Sequence, residues 1–206
     1  KKILENLSEV EYSVFSQWGE DGVIDWLISQ KNDVKDYFIE FGTGDYKESN
    51  TRYLLQNRNW SGSLIEGNEN NFNTITSWKK RWKYDLNITN KFITRENINK
   101  IINEFKPPND TGLLSIDIDG NDYWILKELD LKKINPLILI IEYNSLFGNK
   151  YKITVPYDNN FQRKKKSFSN LYFGCSIQAL IDQCKNKGYH FIGTNKNGCN
   201  AFFVNE

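Results

Sequence analysis

The stretch that decides the fold is Tyr37-Phe-Ile-Glu-Phe-Gly-Thr-Gly44, a short apolar run that ends in two closely spaced glycines. Such a run is typical of a strand covered on both faces, and the glycines allow a tight turn and close approach of a ligand. A dinucleotide-binding fingerprint would place a third glycine near position 47, where the chain has Lys47. Asp45 and Glu48 would repel a pyrophosphate but not a cationic sulfonium or an amino acid. The pattern therefore predicts a ligand-binding turn, in preference to a plain strand-to-helix turn.

The same alternation of apolar runs and helical patterns continues along the chain. Further strands are predicted at 62–66, 91–94, 113–118, 137–142, 190–193 and 201–204, and helices at about 11–30, 51–56, 70–82, 98–105, 123–131 and 177–184. Buried strands that alternate with helices indicate an α/β, doubly wound, mostly parallel sheet. The last two strands flank the turn 195–198 and predict a C-terminal antiparallel hairpin. Ligands of such sheets bind beyond the carboxyl ends of the strands, where the strand order reverses.

Length and composition fit a single domain over residues 1–206. Lys and Arg number 27 and Asp and Glu 26, so the net charge of +1 lacks the basic excess of a nucleic-acid-binding protein. Three cysteines without a CxxC pair indicate reduced thiols and a cytoplasmic location. No apolar run is long enough to span a membrane. We expect a small-molecule substrate and no nucleic-acid partner, with the oligomeric state left open.

The second strand ends in Glu66-Gly-Asn68. An acid at this place can accept hydrogen bonds from two ribose hydroxyls, a device that NAD enzymes and methyltransferases share. The alternative is that Glu66 stabilises the N-terminus of the next helix.

The fourth and fifth strands end in a crowd of carboxylates, Ser115-Ile-Asp-Ile-Asp-Gly-Asn-Asp122 and Glu142-Tyr-Asn144. Strand alternation places Asp117 and Asp119 on one side, and neighbouring strands would bring Glu142 beside them. Oxygen ligands in this arrangement suit Mg²⁺ or another hard divalent ion, and they also suit a general base for a hydroxyl. Helix capping and loop hydrogen bonding are the alternative. The predicted catalytic residues, which are also the candidate metal ligands, are Asp119, Glu142 and Asn144.

Residues 145–174 form a long stretch without clear secondary structure, as expected for a substrate loop. It contains the basic run Arg163-Lys-Lys-Lys166. This run is either a solvated face or a contact for a phosphorylated or nucleotide-linked substrate.

Several motifs spread from about Phe15 to Val204 together resemble one bacterial family of class I S-adenosylmethionine-dependent methyltransferases. The family comprises FkbM-like enzymes, which are often found in polysaccharide or capsule gene clusters. The motifs are Ser16-Gln-Trp-Gly-Glu-Asp-Gly22, Phe38-Ile-Glu-Phe-Gly-Thr-Gly44, Ile116-Asp-Ile-Asp-Gly-Asn-Asp-Tyr-Trp124, Ile141-Glu-Tyr-Asn144, Val155-Pro-Tyr-Asp158, Tyr172-Phe-Gly-Cys-Ser176 and Asn200-Ala-Phe-Phe-Val204.

The resemblance implies a seven-stranded Rossmann-like sheet that binds S-adenosylmethionine. It assigns the cofactor to Glu40, Gly42, Thr43, Gly44, Asn50, Glu66, Gly67, Asn68, Asp117 and Ile118. It assigns the substrate side to Gln17, Glu20, Asp21, Tyr143 and Tyr157. Two departures stand out: Tyr46 replaces a third glycine, and Glu-Tyr-Asn replaces the adjacent acid pair of some metal-dependent relatives, which weakens the case for a metal.

The implied activity is O-methylation of a sugar, or of a phosphorylated or nucleotide-linked precursor of a capsule polysaccharide. One alternative is an NAD(H)-binding oxidoreductase or epimerase, which Glu66 permits but the missing third glycine opposes. The other is a catalytically inert binding module, which the crowded carboxylates oppose.

Overall fold

The computed structural model describes residues 4–205, which form one seven-stranded sheet with helices on both faces. The strands are β1 (Tyr37–Phe41), β2 (Ser61–Glu66), β3 (Leu86–Asn90), β4 (Leu113–Ile116), β5 (Ile138–Glu142), β6 (Tyr189–Thr194) and β7 (Asn200–Asn205). The helices are α1 (Glu20–Ser29), α2 (Arg52–Asn57), α3 (Glu69–Thr76), α4 (Ile98–Phe105), α5 (Asp122–Glu128), α6 (Arg163–Lys166) and α7 (Ile177–Asn186). Within this described part of the chain, no helix is both long enough and apolar enough to cross a bilayer.

The strand order is β3-β2-β1-β4-β5-β7-β6, with β1 to β5 parallel and β7 antiparallel to both of its neighbours. The doubly wound, mostly parallel sheet and the C-terminal hairpin are therefore confirmed. The chain builds the sheet outward in one direction from β1 to β3 and in the other direction from β4 onward, so the strand order reverses between β1 and β4. At this point Phe41 pairs with Ile116. Because both strands end there, the glycine turn after β1 and the acidic segment after β4 lie side by side at the switch point.

Each face of the sheet has its own apolar core. One face packs Ile39 and Phe41 of β1 with side chains of α4, α5 and α7. The other packs Phe38 with side chains of α1, α2 and α3. The central strands are buried on both faces, which is why their sequences are apolar throughout rather than alternating. These layers hold the carboxyl ends of the central strands in fixed positions.

Two elements on the β3 side of the sheet differ from the prediction. The third strand is Leu86–Asn90 rather than 91–94. It is an edge strand with exposed polar residues, whereas the apolar run after it is a loop in which Ile93 is buried. The helix expected over 70–82 ends at Thr76, and a separate short helical turn follows at Arg81–Lys83.

The N-terminal helical region expected from residue 11 begins only at Glu20. The carboxylate of Asp21 accepts backbone hydrogen bonds from Val14 at 2.7 Å, Phe15 at 2.6 Å and Ser16 at 2.9 Å. These bonds fold the preceding segment back over the first turn of α1. The N-terminal motif therefore forms a wrapped turn, which apolar periodicity alone did not indicate.

Candidate active site

The glycine turn after β1 is required by two different physical constraints. Gly42 has φ +75°, and a Cβ built on it would lie 1.6 Å from the backbone oxygen of Asp117. Gly44 has φ +55°, but a Cβ there would meet nothing within 4 Å. Gly42 is thus needed because the ends of β1 and β4 approach closely, whereas Gly44 is needed only for its left-handed backbone.

The carboxylate of Glu40 holds the segment that follows the glycine turn. It accepts hydrogen bonds from the backbone of Asn50 at 3.0 Å, from the Ser49 hydroxyl at 2.7 Å and from the Thr51 hydroxyl. Burial raises the pKa of Glu40 above its ordinary value, and the hydroxyl donors oppose that rise. The Asn50 side chain donates across to Ser115 of β4 at 3.0 Å. The turn is therefore tied to both central strands.

A cleft of about 730 Å³ opens at the carboxyl ends of the central strands. It brings together most of the predicted site residues: Gln17, Glu20, Glu40, Gly42, Thr43, Gly44, Asn50, Glu66, Asn68, Asp117, Ile118, Asp119 and Glu142. It also contains Arg163 and Lys164 of the basic run, and residues to which the sequence interpretation gave no role, among them Trp18, Asn71, Cys199 and Asn200. Gly67 lines an adjoining cleft of about 500 Å³, which shares Glu66 and Ile118 with the first.

Glu66 stands in the wall common to the two clefts. One of its oxygens accepts a hydrogen bond from the backbone of Asn68 at 2.7 Å. The cap of α3 is Asn68, whose side chain accepts from the first turn, so Glu66 is not the N-cap. Burial raises the pKa of Glu66 above its ordinary value. A buried acid at this place remains available to a ligand that spans both clefts.

Three carboxylates gather where β4 and β5 end. One oxygen each of Asp117, Asp119 and Glu142 lies within 4.8 Å of the others. Burial, followed by the charges of Asp122 and Asp119, raises the pKa of Asp117 to about 8. Burial and the charge of Asp117 raise the pKa of Glu142 well above its ordinary value. The pair therefore holds a proton at neutral pH, because two adjacent buried carboxylates cannot both ionise readily.

The remaining acid of that segment, Asp122, has a structural role. Its carboxylate accepts hydrogen bonds from the backbone of Ile118 at 2.7 Å and of Gly120 at 2.9 Å. These bonds shape the turn that carries Asp119, which has φ +60°. The loop hydrogen bonding considered as an alternative for the acidic cluster therefore describes Asp122, and not the other two aspartates.

Arg163, from the loop over residues 145–174, lies on the acidic cluster. Its Nη1 donates to Asp119 at 2.8 Å and to Glu142 at 3.2 Å. Its guanidinium stacks 3.5 Å from the ring centre of Phe173, and its Nε donates to the backbone oxygen of Asn170 at 2.7 Å. A fixed positive charge thus occupies the position where a metal ion was considered. The basic run was noted in the sequence, but nothing in it distinguished Arg163 from the three lysines that follow.

Four predicted residues line neither cleft: Asp21, Tyr143, Asn144 and Tyr157. The amide nitrogen of Asn144 donates to the backbone oxygens of Leu171 and Phe173, and its oxygen accepts from the backbone of Leu146. The structure therefore uses Asn144 to hold the loop and does not bring it to the acidic cluster.

The other three are also engaged elsewhere. The carboxylate of Asp21 shapes the N-terminal turn described above, and Tyr143 is buried in the core. The hydroxyl of Tyr157 accepts from the backbone of Arg95 at 3.0 Å and donates to Glu96 at 2.9 Å. These contacts give each residue a structural role away from the cleft.

The start of α1 closes the cleft from the β6–β7 side. One oxygen of Glu20 accepts from the side chains of Asn195 and Asn200 at 2.8 Å each, and the other accepts from the backbone of Trp18 at 2.8 Å. This network places Gln17 and the partly exposed ring of Trp18 at the rim. Because Glu20 itself is buried, its role is to hold these two rim residues in position.

Comparison with known proteins agrees with this geometry. Residues 24–191 match the family described as the methyltransferase FkbM domain. Comparison with curated proteins finds no significant match.

Solved structures of methyltransferases share the fold at low sequence identity. The N-terminal domain of EvdMO1 with SAH bound is 10% identical, with a TM-score of 0.57 over 91% of this chain and 80% of that one. The same domain in the presence of SAH and D-fucose gives 10% identity and a TM-score of 0.56, over 91% and 82% of the two chains. An S-adenosylmethionine-dependent methyltransferase from Clostridium acetobutylicum ATCC 824 is 8% identical, with a TM-score of 0.53 over 92% of each chain.

Proposed function

Since the chain belongs to the FkbM methyltransferase family and is an S-adenosylmethionine-dependent methyltransferase, we propose that it methylates a hydroxyl group of a sugar. The acceptor we propose is a precursor of a capsule or other polysaccharide, phosphorylated or nucleotide-linked, that is modified in the cytoplasm. The observation that carries the proposal is a single cleft that joins the glycine turn, Glu66 and the acidic cluster.

The residues of the two clefts fit the cofactor in shape and charge. The backbone of the turn at Gly44 is open to the methionine part, and Glu66 is placed for the ribose hydroxyls. The adjoining cleft offers Phe92, Ile93 and Ile118 as apolar surface for the base. Acidic residues outnumber basic ones in the main cleft, which favours a cationic ligand. When bound, the cofactor supplies a methyl group activated by its positively charged sulfur.

Glu142 is the group we propose to accept the proton of the acceptor hydroxyl. Its Oε2 is buried and has no hydrogen-bond partner among the described residues, while Oε1 receives Arg163. The raised pKa of Glu142 makes its carboxylate a stronger base than that of an ordinary glutamate. Asp119 accepts the second hydrogen bond of Arg163, so its role in this scheme is to orient that guanidinium.

A divalent cation is not needed in this scheme. Arg163 already neutralises Asp119 and Glu142, and an ion such as Mg²⁺ would have to displace its guanidinium from both. Asn144, the third ligand expected from sequence, is held by the loop backbone. We therefore propose that the positive charge beside the base comes from the substrate loop.

The rim of the cleft supports a sugar as the acceptor. The ring of Trp18 is 43% exposed, as a stacking surface for a sugar requires, and Gln17 adjoins it with a polar amide. Lys164 brings a positive charge to the same cleft, which suits a phosphate. A domain with the same fold, that of EvdMO1, has been crystallised in the presence of D-fucose.

Calorimetry with S-adenosylmethionine, S-adenosylhomocysteine and NADH tests the proposal. We expect the first two to bind wild type and NADH not to bind. Glu66→Ala removes the ribose contact and should weaken binding of both at least about tenfold, since two charge-assisted hydrogen bonds are lost. The matched control is Glu69→Ala, because Glu69 is an exposed acid at the start of α3 outside both clefts. NADH binding, or equal losses in the two variants, would overturn the assignment.

A further inference from the structure

The substrate loop carries an exposed surface of which only Lys164 has a part in the proposed methyltransfer site. We call it the basic–apolar face, and define it as residues 164–172 together with Leu146. The side chain of Phe168 is fully exposed at 105%, and Leu146, Leu171 and Tyr172 are exposed at 66%, 50% and 42%. Large apolar side chains that lie together on a protein surface mark an interaction site.

The backbone beneath this face is firmly braced. Arg163 donates to the backbone oxygen of Asn170, which closes residues 163–170 into a compact turn. Asn144 bonds the backbone of both Leu146 and Leu171, and so ties together the two segments that carry these exposed side chains. The apolar groups therefore project from a preformed structure.

The charge of the face is positive. Lys164, Lys165 and Lys166 are exposed and directly precede the apolar side chains. Lys166 pairs with Asp158 at 2.6 Å, whereas Lys164 and Lys165 have no ion-pair partner in the part of the chain that the structure describes. Lysines beside projecting apolar side chains match a membrane surface, where phosphate groups overlie acyl chains.

We propose that the basic–apolar face docks the protein on an anionic lipid bilayer. Phe168, Leu171 and Leu146 enter the boundary between headgroups and acyl chains, and the lysines contact lipid phosphates. Nucleic acid fits less well, because the net charge of +1 lacks the basic excess of a nucleic-acid-binding protein. Since Arg163 and Lys164 also line the cleft, docking brings the mouth of the cleft to the bilayer.

Sedimentation with vesicles tests the proposal without any methyl transfer, so its outcome is independent of the proposed acceptor. Vesicles of phosphatidylcholine alone are compared with vesicles that also contain phosphatidylglycerol. We expect wild type to sediment only with the anionic vesicles. The double variant Phe168→Ser/Leu171→Ser should bind them at least about tenfold more weakly. Lys164→Gln/Lys165→Gln should lose about fivefold for each lysine.

The chain offers a matched control in Trp82. Its ring is 80% exposed beside Lys83, but it lies between α3 and β3, at the amino end of that strand, whereas the clefts lie at the carboxyl ends of the strands. Trp82→Ser should leave vesicle binding unchanged, and thermal unfolding should show that all variants are folded. The proposal is overturned if wild type stays in the supernatant, if Trp82→Ser loses as much binding as the Phe168 variant, or if a single-stranded oligonucleotide binds in preference to the vesicles.

Discussion

Replacing each glycine of the turn by alanine separates backbone strain from crowding. Both substitutions force a side chain into left-handed backbone, which costs about 1–2 kcal/mol. Gly42→Ala also drives its Cβ to 1.6 Å from the backbone oxygen of Asp117, so the ends of β1 and β4 must separate. That movement strains the hydrogen bond from the backbone of Asp117 to Phe41, at 3.2 Å, which contributes about 1 kcal/mol, and it loosens the packing below. We expect a total loss of about 4 kcal/mol for Gly42→Ala and of about 1.5 kcal/mol for Gly44→Ala.

Urea unfolding, followed by fluorescence, measures this difference. A gap of about 2.5 kcal/mol between the variants corresponds to a midpoint difference of about 1 M urea at an ordinary denaturant dependence. Cofactor binding should be sensitive to Gly44→Ala even though its loss of stability is the smaller of the two. The new Cβ meets no protein atom and projects into space that we assign to the cofactor. Gly44→Ala should therefore stay folded while losing affinity for S-adenosylhomocysteine.

The refuting result is equal destabilisation by the two substitutions. It would mean that the ends of β1 and β4 are not in close contact, and that the cleft geometry built on that contact is wrong. Unchanged affinity in Gly44→Ala would remove the turn from the cofactor site.

Two further predictions concern the acidic cluster. The pKa of Asp117 is raised to about 8 from 3.8, so over this range the folded state keeps a proton that the unfolded chain has released. The free energy of unfolding should therefore fall between about pH 4 and pH 8. Asp117→Asn should flatten that dependence in urea titrations. A stability that rises over this range through Asp117 would contradict its protonation. Because Arg163 occupies the cluster, EDTA should leave the rate of wild type unchanged, whereas Arg163→Met should create measurable Mg²⁺ binding by calorimetry. Loss of wild-type activity in EDTA would show that an ion displaces the guanidinium.

The parts of the fold that could be predicted are those encoded by local pattern. Central strands such as β1 and β5 are buried on both faces, so their apolar runs are unmistakable. The edge strand β3 was misplaced because its sequence, Leu86–Asn90, is mostly polar and pairs only through the backbone of β2. An edge strand carries a weak local signal, since one neighbour and partial burial suffice to hold it.

The parts of the site that could be predicted are those attached to strand ends. Glu66, Asp117 and Glu142 meet in the cleft because parallel strands finish at one edge of the sheet. Asn144 lies only two positions beyond Glu142, yet it turns to the loop backbone. Its orientation depends on where residues 171–173 pass, which no spacing in the sequence specifies.

The sequence by itself determined the class of sheet, the order of its elements and the carboxylates at their ends, because burial of apolar runs and the two-residue period of strands are local properties. Only the tertiary structure decided that Arg163 neutralises Asp119 and Glu142, across 44 and 21 positions of chain. Charge pairing acts through space and depends on how a loop closes over the sheet. The same closure leaves Lys165 and Phe168 on the outside, although they lie only a few positions after Arg163 in sequence.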